Sequence, residues 1–278
     1  MSSELPRRRA IGTLQHNGVV QTSFNADMVA MLTILRKEVT RFLRIWSQTL
    51  LPSVITMSLY FVIFGTVIGS RISNMGSFSY ISFIAPGIIM MAIITNAYSN
   101  VASSFFGMKF QRSIEEILVS PTPVWAIILG FVLGGVARGL VVALLVSLVA
   151  LFFTHITLFN VGYVVVFALL TSLVFSLAGL INGIFARKFD DVSIIPTFVL
   201  TPLSYLGGVF YSVSLLPEPW HTISLFNPIL YMVNGFRYGF LGYSDVNIYV
   251  GLVFLVLCVI GLSAVAYIFI KKGKGLRS

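Results

Sequence analysis

Residues 105–123 read FFGMKFQRSIEEILVSPTP, one of the few polar interruptions between long apolar runs, and they carry the adjacent acids Glu115 and Glu116. The segment favours a short helix and is closed by Pro121 and Pro123, since proline stops a helix from continuing. N-terminal to it the chain reads as a membrane entry and a first hairpin. After it come four more apolar spans. A short charged helix between two membrane helices is suited to touching something on the cytoplasmic side.

The composition supports this reading. Of 278 residues, 57% are hydrophobic and only 10% charged, where soluble domains carry about 25%. The apolar runs are long enough to cross roughly 30 Å of hydrocarbon at about 1.5 Å per residue. The net charge of +9 sits at the chain ends and in short loops, with no basic face, so a nucleic-acid partner is not expected. The single cysteine, Cys258, lies in the last apolar run and excludes an intrachain disulfide or a cysteine-rich metal site. Arg7, Arg8 and Arg9 are followed by no apolar core within fifteen residues, so a cleaved signal peptide is not expected either.

The pattern predicts an all-α membrane protein. A cytoplasmic tail covers 1–26 and one transmembrane domain covers 27–272. The domain opens with an amphipathic interfacial helix, 27–46, with Met28, Met31, Leu32, Leu35, Val39, Phe42 and Trp46 on one face and Arg36, Lys37, Thr40, Arg41 and Arg44 mostly on the other. Such a helix suits the headgroup plane of anionic lipid, the alternative being a helix packed on a partner. Six spans follow, near 50–68, 80–103, 124–153, 161–185, 192–210 and 248–270, and 273–278 form a second tail. No alternating ten-residue pattern suggests a β-barrel. Between spans five and six, 211–247 is apolar and aromatic but cut by Pro217, Pro219 and Pro228. It reads as a short re-entrant helical segment, either a lid over the bundle or an outer gate.

Lysine and arginine counts orient the chain. With the N-terminus inside, seven lie in the first 49 residues, two in 105–123, two in 186–191 and four in the C-terminal tail, which is 15 of 18. Arg71 and Arg237 fall outside and Arg138 within a span. The positive-inside rule thus puts both termini in the cytoplasm.

Catalysis by this chain has little to rest on. His16, His155 and His221 are far apart, and no GxxxxGK[ST] loop is present to cradle phosphates. Arg138 sits in span three with no acid inside any span, so it faces water, a polar partner or a subunit interface. It is either a pathway residue for anionic cargo or a partner of helix ends and asparagines. Asn96 and Asn182 carry the same two readings, helix-to-helix hydrogen bonding or pathway.

These pieces together resemble the membrane permease subunit of ABC-2 type transporters, in particular its YadH-like branch. The resemblance covers about 28–272. It rests on the basic amphipathic helix, on Arg112-Ser113-Ile114-Glu115-Glu116-Ile117-Leu118-Val119-Ser120-Pro121, on Leu216-Pro217 to Asn227-Pro228 with Tyr231, and on Gly235-Phe236-Arg237. The first of these motifs is similar to the family's coupling helix, with a shorter gap after arginine and Ser113 where threonine is usual. The resemblance implies a bacterial inner-membrane exporter subunit that homodimerises and is driven by a separate ATPase, which binds ATP and Mg; no cofactor is implied in this chain. It further implies a coupling helix at 110–121 in which Arg112, Ile114, Glu115, Glu116, Ile117 and Leu118 meet the ATPase. Asn227, Tyr231 and Arg237 would belong to the outer gate, and spans two and five would line the path. The other classes in view are a lipid-acting membrane enzyme, for which no convergent acids or histidines are found, and a scaffold that uses the fold without moving cargo.

Overall fold

The computed structural model describes residues 24–71, 74–75, 77–155, 157–273 and 275. Most of the predicted N-terminal tail therefore lies outside the described residues. Helix α1 spans Phe24–Arg44, and α2 (Trp46–Thr49) and α3 (Leu51–Tyr60) continue into a π-helical stretch, Phe61–Ile68. A two-residue hairpin, β1 (Asn74–Met75) with β2 (Phe78–Ser79), pairs Met75 against Phe78. Then come α4 (Tyr80–Phe110), α5 (Ser113–Val119), α6 (Val124–Ala150), α7 (Val161–Phe185) and α8 (Phe189–Ile195). A π-helical piece, Pro196–Leu200, leads into α9 (Thr201–Leu206), and α10 (Trp220–Leu225), α11 (Pro228–Leu241) and α12 (Ile248–Lys272) complete the chain.

Among the described residues, five helices are long and apolar enough to cross a membrane: Trp46–Ile68, α4, α6, α7 and α12. The stretch predicted as span five is helical, but it is built from consecutive pieces of 7, 5 and 6 residues. Asp190 and Asp191 stand in its first turn and Pro196 and Pro202 interrupt it. It then turns at Gly208, whose φ of 71° places it in the left-handed region that suits glycine. The prolines predicted to cut 211–247 do so: α10 begins directly after Pro219 and α11 begins at Pro228. Neither α10 nor α11 reaches spanning length, α11 having 14 residues, about 21 Å at the helical rise.

Helix α4 is the axis. Its apolar window is 83% buried by this chain alone, against 11% for Trp46–Ile68 and 17% for α12. It packs on α7, α6 and α11 and joins both hydrophobic clusters, one through Ile88, Met90 and Ile94, the other through Val101, Phe105 and Met108. Span two is therefore largely enclosed by its own protomer.

The ends of the bundle differ. At one, called here the basic end, lie the C-termini of α4, α7 and α12, joined by Lys109 to the carbonyls of Ile184 and Ala186 and by the Phe185–Phe269 ring contact. At the other, the far end, lie the N-termini of α7 and α12 and the C-terminal end of α11, and asparagines open all three of these helices. Asn160 Oδ1 accepts from the Gly162 amide at 2.9 Å, Asn227 Oδ1 from Ile229 at 3.0 Å and Asn247 Oδ1 from Tyr249 at 2.9 Å. Each satisfies an amide that the first helical turn leaves without a partner.

Candidate functional site

At the basic end α4 stops at a turn in which Arg112 takes φ 59°, the one non-glycine residue with positive φ among those described. That conformation disfavours a side chain with a Cβ, and it re-aims the chain so that α5 starts at once. The helix is shorter than the predicted 110–121, seven residues, with Glu115 and Glu116 in its first turn, where the helix dipole favours negative charge. Ile114 is 1% exposed and packed in the cluster that holds Phe105 and Met108, with Ile117 and Leu118 half-buried against it. The apolar ridge expected to meet a partner thus seats α5 on its own bundle. What α5 offers outward is Arg112, Glu115, Glu116 and the exposed Val119.

The loop 186–191 lies beside it. Lys109 Nζ donates to Ile184 O at 2.7 Å and Ala186 O at 2.9 Å, closing the C-terminus of α7 from α4. The carboxylate of Asp191 accepts from the amides of Arg187 at 2.8 Å and Lys188 at 3.1 Å, and these bonds hold its pKa below the usual carboxylate value. Phe189 sets its ring against Phe106 and Phe110 at 4.9 and 5.0 Å. Between the two loops is a cleft of about 710 Å³ whose lining includes Phe106, Lys109, Phe110, Arg112, Phe185 and Arg187. Asn182 serves this same region, its amide reaching Asp191 O and Val192 O at 3.3 and 3.4 Å. Sequence reading treated the two loops separately; only Phe189, an apolar residue in a charged loop, hinted at their contact.

Further in, α1 contributes an acid that sequence reading missed. Glu38 is fully buried, accepting from Ser104 Oγ at 2.6 Å and pairing with Arg41 at 3.0 Å. Arg41 also donates to Asn100 O at 3.0 Å and Asn100 Oδ1 at 2.9 Å. Helix α1 packs along α6, where Gly130 and Gly134 make room: a Cβ on Gly134 would stand 2.5 Å from that of Glu38. The buried edge of α1 is therefore Met31, Ile34, Glu38 and Phe42, while Leu32 and Trp46 from the predicted apolar face are exposed. The available signal was the spacing 31, 34, 38, 42, which runs through an acid. Nearby, Asn96 and Ser53 bond each other at 3.0 to 3.1 Å, and Arg138 Nη2 donates to Thr49 O at 2.8 Å, bracing the junction of α2 and α3.

Of the residues assigned to an outer gate, Arg237 lies toward the far end, where the C-terminal end of α11 meets Phe159 and Asn160, while Asn227 and Tyr231 stand at the N-terminal end of that 14-residue helix. Arg237 is fully buried, donating to Phe83 O at 3.2 Å and Gly208 O at 2.6 Å, with Asp245 at 3.8 Å. Its guanidinium lies 3.9 Å over the Phe83 ring. Asn227 reaches Leu203 O at 2.6 Å while capping α11, and Tyr231 donates to Leu225 O at 2.9 Å. All three fasten the 211–247 segment to the bundle. The predicted site residues thus fall into three places: α5 with the loop beside it, the polar cluster beneath α1, and the fastening of α11.

A bundle of apolar helices with a short helix and a charged loop at one end is matched by the family model described as ABC-2 type transporter, over residues 29–241. The chain belongs to the ABC-2 type transporter family. Among its relatives, the inner membrane transport permease YadH of Escherichia coli (strain K12) is 57% identical over 250 residues, 90% of this chain and 98% of YadH. The same figures hold for YadH of Shigella flexneri. Nodulation protein J of Rhizobium leguminosarum bv. trifolii is 24% identical over 185 residues, 66% of this chain and 71% of that protein. As an ABC-2 permease with several apolar helices of spanning length, this is a multi-pass inner-membrane protein.

Proposed function

We propose that the chain is the membrane subunit of an ATP-driven exporter. Two copies form the path, and a separate ATPase subunit, which binds ATP and Mg, drives them from the basic end. The observation that carries this is the construction of α5, locked to the bundle by buried Ile114 while Glu115 and Glu116 face outward beside the 186–191 loop. A short helix so anchored passes a push to α4 as rigid-body motion, instead of folding away under it. The family and the name of the 57% identical relative, a transport permease, support the same reading.

In this arrangement the basic end is cytoplasmic, in keeping with 15 of 18 lysines and arginines. The run from Val192 through α9 makes the sixth crossing, and 211–247 dips into the outer leaflet. Helix α1 sets Arg36 and Arg44, and α2 the exposed Trp46, toward inner-leaflet headgroups.

The test is turnover of the cognate ATPase purified with and without this chain. Association with altered turnover, lost in Glu115→Ala or Glu116→Ala while the permease keeps its helical content and melting point, supports the reading. If no ATPase binds the wild-type chain, the coupling assignment fails and the scaffold reading replaces it.

A further inference from the structure

Three cations from three separate segments line the cleft of about 710 Å³ at the basic end: Lys109 of α4, Arg112 of the turn before α5, and Arg187 of the loop after α7. Phe106, Phe110 and Phe185 supply its rings. Among the described residues the lining contains no carboxylate, so Glu115 and Glu116 stand outside it.

The cations are only partly satisfied by the protein. The Lys109 ammonium has three N–H donors; two go to Ile184 O at 2.7 Å and Ala186 O at 2.9 Å, which fixes the group in place and leaves one. Arg112 and Arg187 are exposed. Among the described residues none of the three has a carboxylate oxygen within 4.0 Å. The neighbouring acid, Asp191, takes the backbone amides of Arg187 and Lys188, and its single charge stands against those of Lys109, Arg112, Arg187 and Lys188. The cleft is net positive and calls for an anion.

Position and lining narrow the class. Helix α4 ends at Phe110, α7 at Phe185 and α12 at Lys272, so the cleft sits where three long apolar helices leave the hydrocarbon. Phe110 is 63% exposed and Phe185 47%, apolar surface on which an acyl chain can lie. A choline or ethanolamine headgroup would add an ammonium to a set of cations, and a nucleotide base would meet no acceptor side chain among the described lining residues. The volume falls within the range of about 300–1,000 Å³ usual for ligand pockets, and basic pockets between membrane helices on the cytoplasmic side suit anionic headgroups. We propose that this cleft binds one anionic phospholipid, its phosphate on Lys109, Arg112 and Arg187 and its acyl end along Phe110 and Phe185. The bound phosphate ties the turn that aims α5 to the loop that closes α7.

The experiment is native mass spectrometry of the purified full chain in detergent, titrated with phosphatidylglycerol or with phosphatidylcholine of the same acyl chains. One phosphatidylglycerol should bind about tenfold more tightly than phosphatidylcholine. Arg187→Gln should weaken it about fivefold and Arg112→Gln with Arg187→Gln about 25-fold, at about fivefold for each cation removed. Arg36→Gln with Arg44→Gln, on α1, should leave the affinity within about twofold. Arg187→Gln alone carries the test should the double variant lose its fold. A second arm adds glycerol 3-phosphate: no displacement assigns the site to the lipid, whereas displacement makes it a site for a free phosphate and overturns the lipid assignment. Equal affinity for the two lipids, binding indifferent to Arg187→Gln, or an equal loss in the α1 variant would overturn it as well. Binding is measured without an ATPase, so its outcome stands apart from the coupling role of α5.

Discussion

Replacing Glu38 by glutamine keeps the shape of the side chain while removing its charge from a site with no exposure to solvent. The amide oxygen can still accept from Ser104, but the other terminal atom becomes an N–H donor facing the Arg41 guanidinium, where a carboxylate oxygen now stands at 3.0 Å. Removing one partner of a buried pair costs about 3–5 kcal/mol. Here Arg41 is 30% exposed and retains its two bonds to Asn100, so the loss is smaller, about 2 kcal/mol. That is close to a 30-fold change in the folded-to-unfolded ratio. Reversible unfolding in mixed micelles with rising denaturing detergent, followed by circular dichroism, measures the difference. The reasoning is refuted if Glu38→Gln stays within about 0.5 kcal/mol of wild type, the range of surface substitutions.

Asn227→Ala removes both the cap on the Ile229 amide and the bond to Leu203 O; about 1–2 kcal/mol should be lost, and hydrogen exchange should quicken in α11 before it does in α4. Asp191 has a folded pKa below its unfolded value, so the stability it contributes is present above the unfolded pKa and disappears as pH falls through the folded one. Below about pH 4, the melting temperature of Asp191→Asn should therefore fall less steeply than that of wild type; parallel curves would show that the Arg187 and Lys188 amides do not set this titration.

Long apolar runs between polar stops carry their own boundaries, which is why α7 was legible end to end at 161–185 and α6 from its start at Val124. Proline positions likewise marked where α10 and α11 begin. What sequence could not show depends on partners distant in the chain. Glu38 looks like one more solvated charge until Ser104, 66 residues away, is brought to it. That meeting rotates the buried edge of α1 away from Leu32 and Trp46. Ile114 reads as a ridge for a partner or as an anchor with equal ease, and only the packing of α5 distinguishes the two. Arg237 reads as a gate residue only through the resemblance, as the end of the Gly235-Phe236-Arg237 motif. Its carbonyl acceptors, Phe83 O and Gly208 O, are backbone atoms that no side-chain pattern reveals.

The enclosure of α4 limits how such a molecule can move. A 31-residue rod packed on α6, α7 and α11 cannot exchange these neighbours without opening the core. Any motion that keeps the core intact therefore treats these four helices as one chassis. The Trp46–Ile68 span and α12 are the long helices least covered by this chain, so they are the surfaces left for lipid or a neighbouring molecule. A substitution on the chassis would cost the fold before it altered those surfaces.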